Sequence, residues 1–156
     1  MQYILSSAEF SECRMYRYHL TRKWCSGNRM AMFIGLNPST ADEKEDDPTI
    51  RRCVGFAQRL HCDGMFMMNI FAFRSTDPKV MKLVVDPVGR LNNQWLKIKS
   101  AESAFHIACW GVHGSHMNRG EEVKALLTGL ECFGTTKDGH PKHPLYLKSD
   151  TKLVSF

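Results

Sequence analysis

The segment Gly35-Leu36-Asn37-Pro38-Ser39 carries the densest chemical potential in this 156-residue chain. Glycine lets a ligand approach the backbone and proline fixes the turn, while Asn37 holds a neutral amide where an apolar run ends. Such an amide can position a water, pair with a nucleobase edge, or bond its own turn. Asn69 interrupts a second apolar run, Gly64 to Phe71. A buried amide without partners costs about 1–3 kcal/mol, so Asn69 must either meet a ligand or tie a loop. Phe71 and Phe73, two positions apart, share a face in extended chain and can stack on a planar ring or join a core. Arg74 can meet a phosphate or stand in solvent.

The acidic run Asp42-Glu43-Lys44-Glu45-Asp46-Asp47 offers general bases, although charge runs are usually solvated faces. Asp42 is the candidate for being nearest Asn37, whereas Asp47 reads as a helix cap. His113-x-x-His116 and His140-x-x-His143 have spacings that can bring two imidazoles together. No neighbouring cysteine or Glu-x-x-His pattern completes a metal site, so neither metal nor cofactor is expected. Walker, G-x-S-x-G and G-x-G-x-x-G patterns are missing as well.

These residues need a scaffold, and two alternating periodicities supply one. Near-alternate apolar positions from about Tyr3 to Trp24 predict an N-terminal β-hairpin. Met30 to Ile34, Gly64 to Phe71 and Phe105 to Gly111 are continuous apolar runs, as in strands buried on both faces. Glu131 to Thr135 is a fourth candidate, and Leu153 to Phe156 an edge. Asp47-Pro48 followed by Ile50, Cys53, Val54, Ala57 and Leu60 predicts a helix with its cap. Further helices are expected after Asp77-Pro78, within Leu91 to Ser100, and from about Asn118 to Leu127. The alternation predicts a single α/β domain over 1–156, a three-layer sandwich with a largely parallel central sheet. Its ligand site is expected beyond the carboxyl ends of the strands. Asn37 to Ser39, Asn69 to Arg74, Trp110 to Gly114 and Lys137 to Tyr146 would then share one rim.

Composition sets wider bounds. A content of 43% hydrophobic and 24% charged residues excludes wholesale disorder. No apolar run approaches the roughly 20 residues of a membrane span, and the first residues lack a signal-peptide pattern, so a cytoplasmic protein without membrane contact is expected. The six scattered cysteines include no C-x-x-C pair and read as reduced, mostly buried thiols. A formal charge of +5 permits phosphate contact without requiring it.

The order of these pieces resembles the uracil-DNA glycosylase superfamily, specifically its mismatch-specific branch. Gly35-Leu36-Asn37-Pro38 is similar to its first motif, and Met67-Met68-Asn69 to the strand-end asparagine that reads the base. Ala108-Cys109-Trp110-Gly111 is similar to its strand ending in W-G. His143-Pro144-Leu145, or alternatively His140-Pro141, resembles the late H-P motif. Over roughly residues 1–150 the chain also resembles the DUF1643 family, through G-L-N-P-S-T-A-D, D-P-T-I-R-R, N-x-F-A-F-R and G-H-P-x-H-P-L-Y. Two departures stand out: asparagine replaces aspartate at 37, and Leu145 and Tyr146 follow His143-Pro144.

The glycosylase resemblance implies a uracil-DNA glycosylase-like fold and hydrolysis of the N-glycosidic bond of a damaged or modified base flipped from DNA, in a setting such as phage DNA modification or defence. Asn37 would orient water, with Asp42 as the proton acceptor and His143 stabilising the departing base. Gly35, Leu36, Pro38, Ser39, Asn69, Phe71 and Phe73 would enclose that base. Arg51, Arg52, Arg74, His140 and Lys142 would contact phosphates, with Tyr146 as a wedge or stacking ring. The expected partner is DNA containing a modified or mismatched base, bound by a monomer. Hydrolysis of free nucleosides or nucleotides, and non-catalytic binding of a nucleotide, are the alternatives.

Overall fold

A computed structural model describes all 156 residues, with seven strands in one sheet ordered β1-β2-β4-β3-β5-β6-β7. β1 (Leu5–Phe10) and β2 (Arg17–Lys23) form the N-terminal antiparallel hairpin. β3 (Met30–Gly35), β4 (Gly64–Asn69), β5 (Phe105–Ala108) and β6 (Leu130–Cys132) make the parallel centre, and β7 (Val154–Ser155) is an edge.

The sheet is therefore mixed rather than largely parallel. Three neighbouring pairs are parallel and three, β1/β2, β2/β4 and β6/β7, are antiparallel. The reason lies in a connection. Only residues 24–29 join β2 to β3, and a parallel return needs a crossover of about a dozen residues.

The two faces of β3 read directly from its sequence. Ala31 and Phe33 point to the face covered by α1 (Pro48–Arg59), where they meet Ile50, Cys53 and Ala57. Met30, Met32 and Ile34 point to the opposite face. There they pack with Met81 of α2 (Pro78–Lys82), Leu96 of α3 (Asn92–Ala101) and Val123 of α4 (Arg119–Leu126). Helices thus lie on both faces of the sheet. α1 starts where expected: Pro48 opens it and the Asp47 carboxylate accepts from the Ile50 amide at 2.9 Å. No helix is long and apolar enough to cross a membrane.

Three strand boundaries differ from the sequence reading, the first being β4, which ends at Asn69 rather than Phe71. β5 stops at Ala108 because the chain turns away at Gly111, whose φ is +72° and whose amide donates to the Pro141 carbonyl at 2.9 Å. A tight helical turn over Val112–Asn118 follows at once. β6 begins at Leu130, one residue early, and ends at Cys132. Four cysteines are buried, Cys13 and Cys25 are exposed, and all six are free thiols.

β2 also carries a buried titratable group on its α3 side. The His19 ring packs edge-on against Trp95, with centroids 4.7 Å apart. Burial is the main force lowering its pKa to about 4, with Lys99 and Arg17 adding repulsion. Above the ordinary value of 6.5 the ring is neutral in both folded and unfolded chains and contributes nothing. As pH falls from 6.5 toward 4, the unfolded chain takes up a proton that the native ring refuses, so stability declines. The loss approaches about 3 kcal/mol. Urea unfolding at pH 7 and pH 4.5 should show wild type losing more stability than His19→Phe, and parallel losses would disprove this role.

Candidate active site

The strand order positions a crevice. The chain leaves β3 for α1 on one face, and leaves β5 for α4 on the other. β3 and β5 are neighbours, so their exits diverge and leave a gap, the usual ligand position in such sheets. A cavity of about 410 Å³ fills it. Gly35, Leu36, Asn37 and Ser39 line it from β3, Met67 and Asn69 from β4, and Trp110 to His113 from β5. Asp47, Thr49 and Ile50 contribute the start of α1, Ser75, Thr76 and Pro78 the approach to α2, and His143 and Tyr146 the late loop. Arg17 completes the wall from β2. All four segments expected at the rim contribute to its wall.

Asn37 and Asn69 stand at the ends of adjacent strands, with Gly35 paired to Asn69 in register. The Asn37 Nδ2 donates to the Ser75 carbonyl at 2.8 Å, and lies 3.2 Å and 3.4 Å from those of Pro38 and Phe73. Three carbonyls on one side fix the amide orientation, since only the NH₂ group can face them. Oδ1 is then the atom left free. Asn69 is 2% exposed, and its Nδ2 has no hydrogen-bond partner.

Behind these residues a buried frame holds the β4 exit. The fully buried Asn92 donates to the carbonyls of Asn69 and Ile70 at 2.9 and 3.1 Å, and Arg119 Nε donates to that of Ile70 at 2.8 Å. Strand alternation ends here. Phe71 consequently turns fully into the core, and Phe73 lies half-buried, edge-on to Tyr16. Neither lines the cavity, so neither ring is available there for stacking.

The acid at the site is Asp47. Asp42 does not line the cavity, because its loop folds back on Arg22 and its carboxylate accepts from the amides of Lys44 and Glu45 at 2.8 and 2.9 Å. Those amides hold its pKa below the ordinary carboxylate value, which weakens it as a base. Asp47 caps α1 through Oδ1 and also forms part of the cavity wall. His143 faces the same space. Its Nδ1 accepts from the Leu145 amide at 3.3 Å, so a neutral ring carries its proton on Nε2. Burial lowers the pKa of His143, partly opposed by Asp47, and favours that neutral form.

The residues expected on phosphates are dispersed. Arg52 donates to the carbonyls of Pro144 and Leu147, anchoring the turn Pro144–Tyr146 behind His143. Arg51 is spent on the Asp46 carbonyl, while Arg74 donates to that of Arg14 at 3.1 Å and lies over the Phe10 ring. Lys142 is exposed and His140 lines a separate, smaller pocket; neither belongs to the main cavity. Pro38 is buried behind the first loop, its carbonyl holding the Ser75 amide at 2.9 Å. Tyr146 stands at the mouth, 86% exposed. His113 reaches the cavity and His116 does not, and no group of three metal-ligating side chains occurs anywhere.

Arg17 escaped the sequence reading. His19 faces Trp95, whereas Leu20 and Arg22 face the α1 side, so strict alternation would put Arg17 with His19. Between Glu9 and Phe10 the partner jumps from His19 to Arg17, leaving Tyr18 as an extra residue. This bulge re-aims Arg17, whose NH1 reaches the Ala41 carbonyl at 2.6 Å.

A family model covers residues 17–145, from Arg17 through Leu145, and so includes every cavity residue but Tyr146. The chain belongs to the DUF1643 family. That family is described as proteins of unknown function. No curated protein and no solved structure matches the chain.

The amide geometry separates Asn37 from an ordinary carboxylate position. In Asn37→Asp an oxygen would face the three carbonyls of Pro38, Phe73 and Ser75, so every one of these contacts becomes repulsive. A destabilisation of about 1–3 kcal/mol is expected, read as a lower urea midpoint, with Asn37→Ser losing less. An Asn37→Asp protein as stable as wild type would disprove the assigned orientation.

Proposed function

We propose that this DUF1643 member hydrolyses the N-glycosidic bond of a nucleotide whose base enters the cavity, with a modified or mismatched base flipped from DNA as the leading substrate. The observation that carries the reading is the pair of strand-end asparagines. Asn69 offers a buried, unpartnered amide N–H to a base edge, and Asn37 offers an Oδ1 locked in place to hold a water. The volume of about 410 Å³ suits one nucleotide rather than an oligonucleotide, which fits a flipped base.

In this mechanism Asn37 orients the attacking water by accepting one of its protons in a hydrogen bond. An amide oxygen cannot remove a proton at neutral pH, so the water's other proton passes to Asp47, the carboxylate in the cavity wall, as its oxygen bonds to the anomeric carbon. The C–N bond breaks with its electron pair leaving on the base, and the Nε2–H of neutral His143 donates to the negative charge that develops there. Tyr146 supplies an exposed ring at the mouth to fill the space left in the stack. Hydrolysis of a free nucleotide is a second reading, favoured by the depth at which Arg17 is buried in the cavity wall.

Labelled duplexes containing uracil, mismatches and hypermodified pyrimidines, incubated and then treated with alkali, test the leading reading. Wild type should leave alkali-sensitive abasic sites, and folded Asn69→Ala and Asn37→Ala should be slower by about 10²-fold. Free base released from mononucleotides but from no duplex would transfer the activity to the second reading. Absence of base release from every substrate would overturn both.

A further inference from the structure

Arg17 is 2% exposed and lines the cavity, yet it forms no ion pair. Of its five N–H donors, NH1 reaches the Ala41 carbonyl, and the buried Nε has no acceptor. The other two buried arginines are provided for. Arg22 binds Asp46 at 2.8 Å and three backbone carbonyls, and Arg119 binds Glu122, Asn93 and Ile70. A buried guanidinium without a carboxylate is costly, and a bulge in β2 directs this one into the cavity.

Its neighbours in the wall are also donors. Ser39 and Thr49 line the cavity, and no other protein group engages their hydroxyls. Thr49 lies in the first turn of α1, a twelve-residue helix whose N-terminus favours negative charge. Asp47 opposes an anion, but its Oδ1 is held by the Ile50 amide and it stands beyond ion-pair distance of Arg17. Of the charges acting on Arg17 the Asp47 carboxylate is the strongest, Arg74 and Arg22 add positive potential against it, and Asp42 adds a smaller negative one. Burial lowers the Arg17 pKa to about 10, which leaves it charged at neutral pH.

We infer that Arg17 is the seat of an anionic phosphate in this cavity, with Ser39 and Thr49 as supporting donors, so that the ligand is held by its phosphate as well as by its base. A guanidinium fork flanked by two hydroxyls and a helix start offers donors in several directions, as a tetrahedral oxyanion requires. The identity of the ligand as a nucleotide rests on the function proposed above; the anion seat rests on Arg17 alone. The phosphate can belong to a free mononucleotide or to a strand of DNA.

Calorimetry with the four deoxynucleoside monophosphates, the matching nucleosides and a short single-stranded oligonucleotide tests this without turnover. At least one nucleotide should bind wild type tenfold or more tightly than its nucleoside. In Arg17→Lys that preference should fall below about threefold while nucleoside affinity is kept, because an ammonium lacks the fork. Thr49→Val should reduce it by a smaller factor. If Arg17→Lys does not fold, the Arg17 Nε–H resonance of wild type should still shift with nucleotide and stay fixed with nucleoside. An oligonucleotide that displaces the mononucleotide and weakens in Arg17→Lys identifies the strand as the source, and failure to displace it identifies the free nucleotide. Equal binding of nucleotide and nucleoside, an undiminished preference in folded Arg17→Lys, or no binding by any phosphorylated ligand overturns the inference. A preserved phosphate preference without base release would instead remove the hydrolase reading and leave the anion seat standing.

Discussion

A guanidinium taken out of water must find oxygen atoms, and three such groups organise this fold. Arg17, Arg22 and Arg119 head the largest fully buried side chains of the chain. Arg22 projects from β2 and gathers Asp46 with the carbonyls of Asp42 and Glu45, folding the acidic loop onto the sheet. The position of Asp47 follows, because that loop delivers it to the start of α1. Arg119, at the start of α4, holds the Ile70 carbonyl just past β4 and so fixes the exit beside Asn69. Two loops at the carboxyl ends of parallel strands are thus set by buried charge satisfied locally, and both border the cavity.

Much of the scaffold was legible because its signals are local. Asp47-Pro48 and the apolar spacing behind it specify α1 and its cap within one segment. The apolar runs of β3 and β4 required burial on both faces, and helices cover both. Strand order was not legible in the same way. The short 24–29 connection sets β2 against the direction of β3, but β2 passes over β3 to pair with β4, a choice made by tertiary packing.

The site was legible to the extent that its residues sit at strand ends. Asn37, Asn69 and His143 share the cavity because three separate exits converge there. Asp42 lies nearer Asn37 along the chain than Asp47 does, a poor guide once Arg22 reverses the loop. A period of two puts Phe71 and Phe73 on one face, but it lapses where β4 ends and Asn92 pins the carbonyls of Asn69 and Ile70. Arg17 was hidden by the opposite effect, one extra residue that inverts the faces of the strand before it. In each case a tertiary partner overruled a local rule.

The polar balance of the cavity constrains what can occupy it. Its unsatisfied buried atoms, Arg17 Nε and Asn69 Nδ2, are both donors. Leaving a buried donor unpaired costs about 1–3 kcal/mol, and both belong to residues of the cavity wall. An occupant that supplies acceptors recovers the deficit, whereas an apolar one deepens it. The balance therefore favours an occupant that carries acceptors, on a base edge or a phosphate, over a purely hydrocarbon one.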